Sequence, residues 1–286
     1  MLMFVVTQLI GLYVANHYIS PDNILPLGLE PPQVDPVSFL PNLLIAFVIA
    51  ILLIFLLMKL KVQLILKLWF FVVIVIALTI ALMAVFSDIG IKYAQTVALV
   101  LAFGLGAVKI FKKNFFVHNI TELLVYPGIA VIFIPLLNVW TVIALLILIS
   151  IYDIWAVWHS GIMQKMAKYQ IDKVGIFAGF FVPYASKKVR TQIKSWKKTL
   201  SKSQLKKKKV KINVAILGGG DVVFPIITAG VMLAAYGIYS ALFVSLGATL
   251  GLAYLFFLSE KKKFYPAMPF ITAGILAGMG LSYLIL

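Results

Sequence analysis

The chain has 286 residues, 63% of them hydrophobic and only 12% charged, with 25 Lys and Arg against 9 Asp and Glu, a net charge of +16 and no cysteine. Soluble domains run near about 45–50% apolar and 25% charged, so this composition excludes a soluble globular protein and points to an all-α polytopic membrane protein. The positive charge falls in gaps between apolar runs and not on a folded face, which argues against nucleic acid as a partner. The missing cysteines exclude disulfides, thiolate chemistry and Cys-based metal sites.

Windows of about 19 residues predict nine transmembrane helices, near 1–19, 40–58, 66–86, 94–110, 117–137, 139–158, 212–233, 237–258 and 266–286. The fifth and sixth are divided only by Leu137 to Val139, with Asn138 between them. Lys and Arg in short loops mark the cytoplasmic side, and with nine spans 24 of the 25 basic residues fall on one side. This predicts a multi-pass chain with its N-terminus in the cytoplasm and its C-terminus outside. A cleaved signal peptide is the other reading of the first span, but it has no basic n-region and no small-x-small site before His17.

The expected organisation is a single transmembrane domain over 1–286: spans one to six in 1–158, a basic cytoplasmic loop in 159–211 and spans seven to nine in 212–286. The loop carries fifteen basic residues between Lys165 and Lys211 and an aromatic patch, IFAGFFVPY. One reading is an anchor on anionic membrane lipid. Val210, Ile212 and Val214 alternate with Lys211 and Asn213, a period of two that also permits a short strand before the seventh span.

Of the nine acids, Glu122, Asp153 and Asp221 lie within expected spans. A carboxylate at mid-bilayer costs roughly 2.5 to 3.5 kcal/mol on insertion scales, so each needs a reason. Counting residues puts Asp153 roughly 8 Å and Asp221 roughly 13 Å from the cytoplasmic end of successive helices. Two carboxylates close together in low dielectric share a proton, one serving as acid and one as base, and such a pair can activate water against an amide. The alternatives are helix-to-helix hydrogen bonding and a carboxylate-coupled transporter or channel. Pairing with a cation is disfavoured, because Lys67 and Lys109 sit near span ends and can snorkel.

Gly218, Gly219 and Gly220 precede Asp221 in LGGGDVVFP. Three consecutive glycines weaken a helix by about 1 kcal/mol each relative to Ala and clear side chains from a place where another backbone could approach. Close helix packing is the alternative.

These residues resemble the motifs of the presenilin and signal peptide peptidase family of intramembrane aspartyl proteases, and the small, undecorated chain resembles the archaeal presenilin homologues. Tyr152 and Asp153 in ISIYDIWAVW match the YD motif, Gly218, Gly220 and Asp221 match GxGD, and Pro266 and Ala267 match two residues of PAL, where Met268 stands in place of Leu. Met conserves volume and hydrophobicity there. The resemblance extends over nearly the whole chain and implies nine spans, with YD on the sixth, GxGD on the seventh and PAL at the start of the ninth. It implies a presenilin-like GxGD aspartyl protease fold with Asp153 and Asp221 catalytic, substrates that are transmembrane proteins, and no metal or cofactor. It also implies that Tyr152, Gly218, Gly219, Gly220, Pro266, Ala267 and Met268 border substrate access. Presenilins have a cytoplasmic N-terminus, in keeping with the charge count. An unwound substrate could pair with Val210, Lys211, Ile212, Asn213 and Val214 as an added strand.

Other polar residues carry less. His159 reads as an interfacial helix end, and His17 and His118 have no metal-ligand spacing. Glu122 reads equally as a polar group lining a water-filled cavity or as an interfacial acid at a helix start.

Overall fold

The computed structural model describes residues 1–20, 22–30, 63–112, 114–160, 178–184, 213–259 and 265–285, with eight more between 41 and 53. In hydrocarbon every backbone polar group must be satisfied within its own element or by buried protein, and the chain answers with helices. They are α1 (Leu2–Ile19), α2 (Gln63–Asp88), α3 (Ala94–Phe111), α4 (Phe115–Phe133), α5 (Val139–Ile154), α6 (Gly220–Tyr236), α7 (Ile238–Leu258) and α8 (Met268–Ile285). Among the described residues seven helices are long and apolar enough to cross a membrane, and α6 is a shorter apolar helix of 17 residues. The second expected span lies largely outside the described residues, and the eight that are described there are helical.

The doubtful boundary between the fifth and sixth spans is a built turn. A 3-10 turn, Ile134–Leu136, follows α4, and Asn138 then caps α5. Its Oδ1 accepts from Thr141 N at 2.8 Å while its own N–H donates to Thr141 Oγ1 at 2.8 Å. This reciprocal capping box satisfies two donors that the helix start would otherwise leave orphaned.

The main core joins α1, α2, α4, α5, α6, α7 and α8, with Phe4, Ile80, Tyr126, Leu146, Ile226, Leu252 and Ile271 fully buried. α1 lies against α6: a Cβ on Gly11 would stand 2.5 Å from Ile226 Cγ2, and Gln8 Nε2 donates to Val222 O at 3.1 Å. At the far end of α1, Asp88 binds Tyr13 Oη at 2.5 Å and His17 Nδ1 at 2.8 Å. Asp88, expected in a loop, is thus the last residue of α2 and the hook that holds α1.

α7 and α8 meet backbone to backbone. A Cβ on Gly247 would collide with the carbonyl of Gly274, and one on Gly274 with the carbonyl of Gly247. Small residues permit such backbone contact, and Ser282 Oγ donates to Ser240 Oγ at 2.7 Å across the same interface.

Two strands complete the described structure. β1 (Gly179–Tyr184) and β2 (Asn213–Gly218) pair antiparallel, in a register running from Gly179 opposite Gly218 to Tyr184 opposite Asn213. This corrects the seventh span, expected as a helix from 212: the chain is extended through Gly218 and helical only from Gly220. A short apolar run does not itself distinguish strand from buried helix, and the glycines stop α6 from propagating backwards. Asn213 and Val214 fall in the strand, which continues four residues past the expected end. Val210, Lys211 and Ile212 lie outside the described residues. The aromatic patch of the long loop contributes β1, with Phe180 buried in the core. The basic runs of that loop lie outside the described residues.

Candidate active site

Asp153 stands one residue before the end of α5, where the chain passes into a π-helical turn, Trp155–Ser160. It is 5% exposed. Met268 N donates to its Oδ2 at 3.0 Å, and the Ala267 N–H also serves it. Met268 is the first residue of α8, so these are among the amides that a helix start leaves without internal partners. The helix dipole favours negative charge at that end. Ala267 and Met268 are therefore brought to Asp153 through backbone, with Pro266 just before them in the chain, and the exchange of Leu for Met leaves this contact untouched. One turn back along α5, Ser150 Oγ shares a hydrogen bond with Thr272 Oγ1 at 2.8 Å, a second polar tie between α5 and α8.

Asp221 occupies the first turn of α6 and is 9% exposed. It lies within electrostatic reach of Asp153 and takes a hydrogen bond from the Gly218 backbone. A Cβ on Gly218 would sit 3.1 Å from Asp221 Oδ2, so the bare glycine is what lets the carboxylate fold back over the strand end. Gly219 is buried, its N–H donating to Ala178 O at 3.1 Å, and a Cβ there would stand 2.9 Å from Tyr126 Cε1. Gly220 is exposed and differs: its nearest neighbour would be Phe224 Cε2 at an ordinary 3.6 Å. None of the three has a positive φ, so space and not backbone freedom explains them. At 17 residues α6 is about 26 Å long, a little short of a hydrocarbon core of about 30 Å.

The signal-peptide peptidase and presenilin aspartyl protease family matches the chain over residues 1–286. The chain belongs to this family. It is accordingly an intramembrane aspartyl protease, an aspartic endopeptidase embedded in the membrane. No curated protein sequence matches it significantly. Two solved structures of a presenilin family intramembrane aspartate protease share its fold. The one in space group C222 is 17% identical with a TM-score of 0.61, covering 100% of this chain and 97% of that one. The one in space group P2 is 18% identical with a TM-score of 0.60, covering 100% and 96%.

Behind the two aspartates the protease has a polar layer that its sequence concealed. Lys109 Nζ at the end of α3 and Glu122 Oε1 on α4 are 2.6 Å apart, both side chains 2% exposed. Lys109 therefore does not snorkel, and Glu122 is neither interfacial nor a cavity lining but half of a buried ion pair. Opposite charges at the facing ends of consecutive spans were the available signal. His118 Nε2 lies 3.6 Å from the same Glu122 oxygen and 2.8 Å from Gly179 O. Tyr126, two turns further along α4, packs edge-on against Phe180 of β1 and backs Gly219. Tyr152, beside Asp153, is half-buried with its ring near Trp155, and His159 is exposed. Among the described residues no group of three or more His, Asp or Glu could hold a metal ion.

Proposed function

We propose that Asp153 and Asp221 are the catalytic pair and that they cut transmembrane helices of substrate proteins near the cytoplasmic face. The observation that carries this is the seating of both acids: each is buried, Asp153 is held by the amides at the start of α8 and Asp221 by the Gly218 backbone, and they stand on helices that pack together. Two such carboxylates hold one proton between them. The ionised one takes a proton from water, whose oxygen adds to the scissile carbonyl carbon, while the protonated one donates to the carbonyl oxygen. Collapse of the resulting diol breaks the C–N bond, and the amine leaves with a proton returned by the pair. Water is the only co-reactant.

A helical amide is shielded by its own hydrogen bonds, so the substrate must unwind after entering laterally. The extended segment then pairs with the outer edge of β2, which satisfies its backbone in a dry site. The expected pairing segment shifts from Val210–Val214 to the part of β2 nearest Asp221. Gly220, open and unused by internal packing, leaves room for the incoming backbone. Orientation follows the charge alternation, with the N-terminus in the cytoplasm, the 159–211 loop on the same side and the C-terminus outside.

The test is purified protein with a single-span substrate in detergent, with products mapped by mass. Cleavage should vanish in Asp153→Ala and in Asp221→Ala; cutting that survives either change removes the pair from the mechanism. A proline scan through the substrate tests strand pairing, because alternate residues donate to β2. Inhibition should recur with a period of two, and a flat scan would rule the pairing out.

A further inference from the structure

His118, Asn119, Glu122 and Tyr126 fall within about 100° on one stripe of α4, facing the sheet. The mechanism above uses none of them. Asn119, 8% exposed, makes the most specific contact: its Nδ2 donates to Phe181 O at 3.0 Å and its Oδ1 accepts from Phe181 N at 3.1 Å. A carboxamide carries the donor and acceptor of a peptide group, so Asn119 meets Phe181 as a residue of a neighbouring strand would. His118, at 2.8 Å from Gly179 O, occupies the next outward position along the same edge.

This contact settles which backbone groups of β2 point outward. In an antiparallel pair, successive residues face the partner strand and then face away. Phe181 and Gly179 face α4, so Phe180 and Val182 face β2, where they pair with Leu217 and Ala215. Val214, Ile216 and Gly218 then turn their amides and carbonyls to the far edge. Gly218 already serves Asp221. What remains on that edge is Val214 and Ile216, a short template ending at the acid.

We infer that Asn119 is a positioning residue for cleavage. Acting as a one-residue surrogate strand, it closes the β1 edge and pins the register in which β2 presents Val214 and Ile216, and through that register selects the bond that is cut. The inference rests on the proposed pairing of substrate with β2.

The experiment compares wild type, Asn119→Leu and Asn119→Gln on the same single-span substrate, reading kcat, KM and product masses. Asn119→Leu removes both bonds; kcat should fall about tenfold or more, and cutting should spread to bonds two residues from the main site. Asn119→Gln keeps donor and acceptor and should recover part of kcat and the main product. Wild-type kcat and product ratio in Asn119→Leu overturn the inference. So does a loss of all products in equal proportion with a lowered Tm, which marks a merely structural role. The proline scan separates the two failures: a flat wild-type scan sinks the pairing, whereas a period-two scan with unchanged Asn119→Leu products sinks the role of Asn119 alone.

Discussion

The backbone N–H of Met268 donates to Oδ2 of Asp153 at 3.0 Å, so the start of the last helix holds a carboxylate of another helix by a group that every residue except proline supplies. Met268→Leu should therefore cleave within about twofold of wild type. Met268→Pro is the informative change, since proline is tolerated at a first helical position but has no N–H. Losing a hydrogen bond to a charged group, worth about 1.5–3 kcal/mol, should lower kcat about ten- to a hundredfold. A thermal melt alongside the cleavage assay checks that the fold survives.

The three glycines should separate by position. Gly219→Ala drives a methyl against the buried Tyr126 ring and should lower stability by about 1–3 kcal/mol; Tyr126→Leu in the same chain should restore part of it. Gly218→Ala crowds Asp221 Oδ2 and should depress cleavage more than stability. Gly220→Ala should fold normally, and Gly220→Leu should fold yet lose cleavage by filling the substrate's room. Melting curves and product yields on the five variants decide the order.

Breaking the Lys109–Glu122 pair strands a buried charge. Glu122→Leu and Lys109→Met should each cost about 3–5 kcal/mol, while the double change that combines them should come close to wild type. A double-mutant cycle on unfolding in detergent measures the coupling.

Asp88→Ala removes the partner of both Tyr13 and His17 and should cost about 1–3 kcal/mol, because His17 is buried. The acid lies on α2, apart from the cleavage machinery. Cleavage per folded molecule should stay unchanged while Tm falls.

Seven of the expected spans, and Asp153 and Asp221 as acids within apolar runs, were legible because hydropathy and isolated charge survive as one-dimensional signals. Asn138 was legible as a weak break, but its pairing with Thr141 needed the turn's geometry. β1 and β2 were not separable from their surroundings, since GFFVPY sits in a basic loop and NVAILG merges with the apolar run of α6; each strand is defined by its partner. Asn119 shows the limit most sharply. A lone amide at a helix start carries no mark that it stands in for a strand, and only the two distances to Phe181 reveal it.

Helices that touch backbone to backbone can neither slide nor roll without driving carbonyl oxygens into the facing chain. α7 and α8, joined at Gly247 and Gly274, therefore behave as a single plank. Whatever parts to admit a substrate either swings this plank whole, lifting the amides off Asp153, or leaves it still and opens between other helices. The stiffness that keeps those amides in place thus originates roughly 9 Å along α8 from Met268, in glycines with no reactive atom of their own.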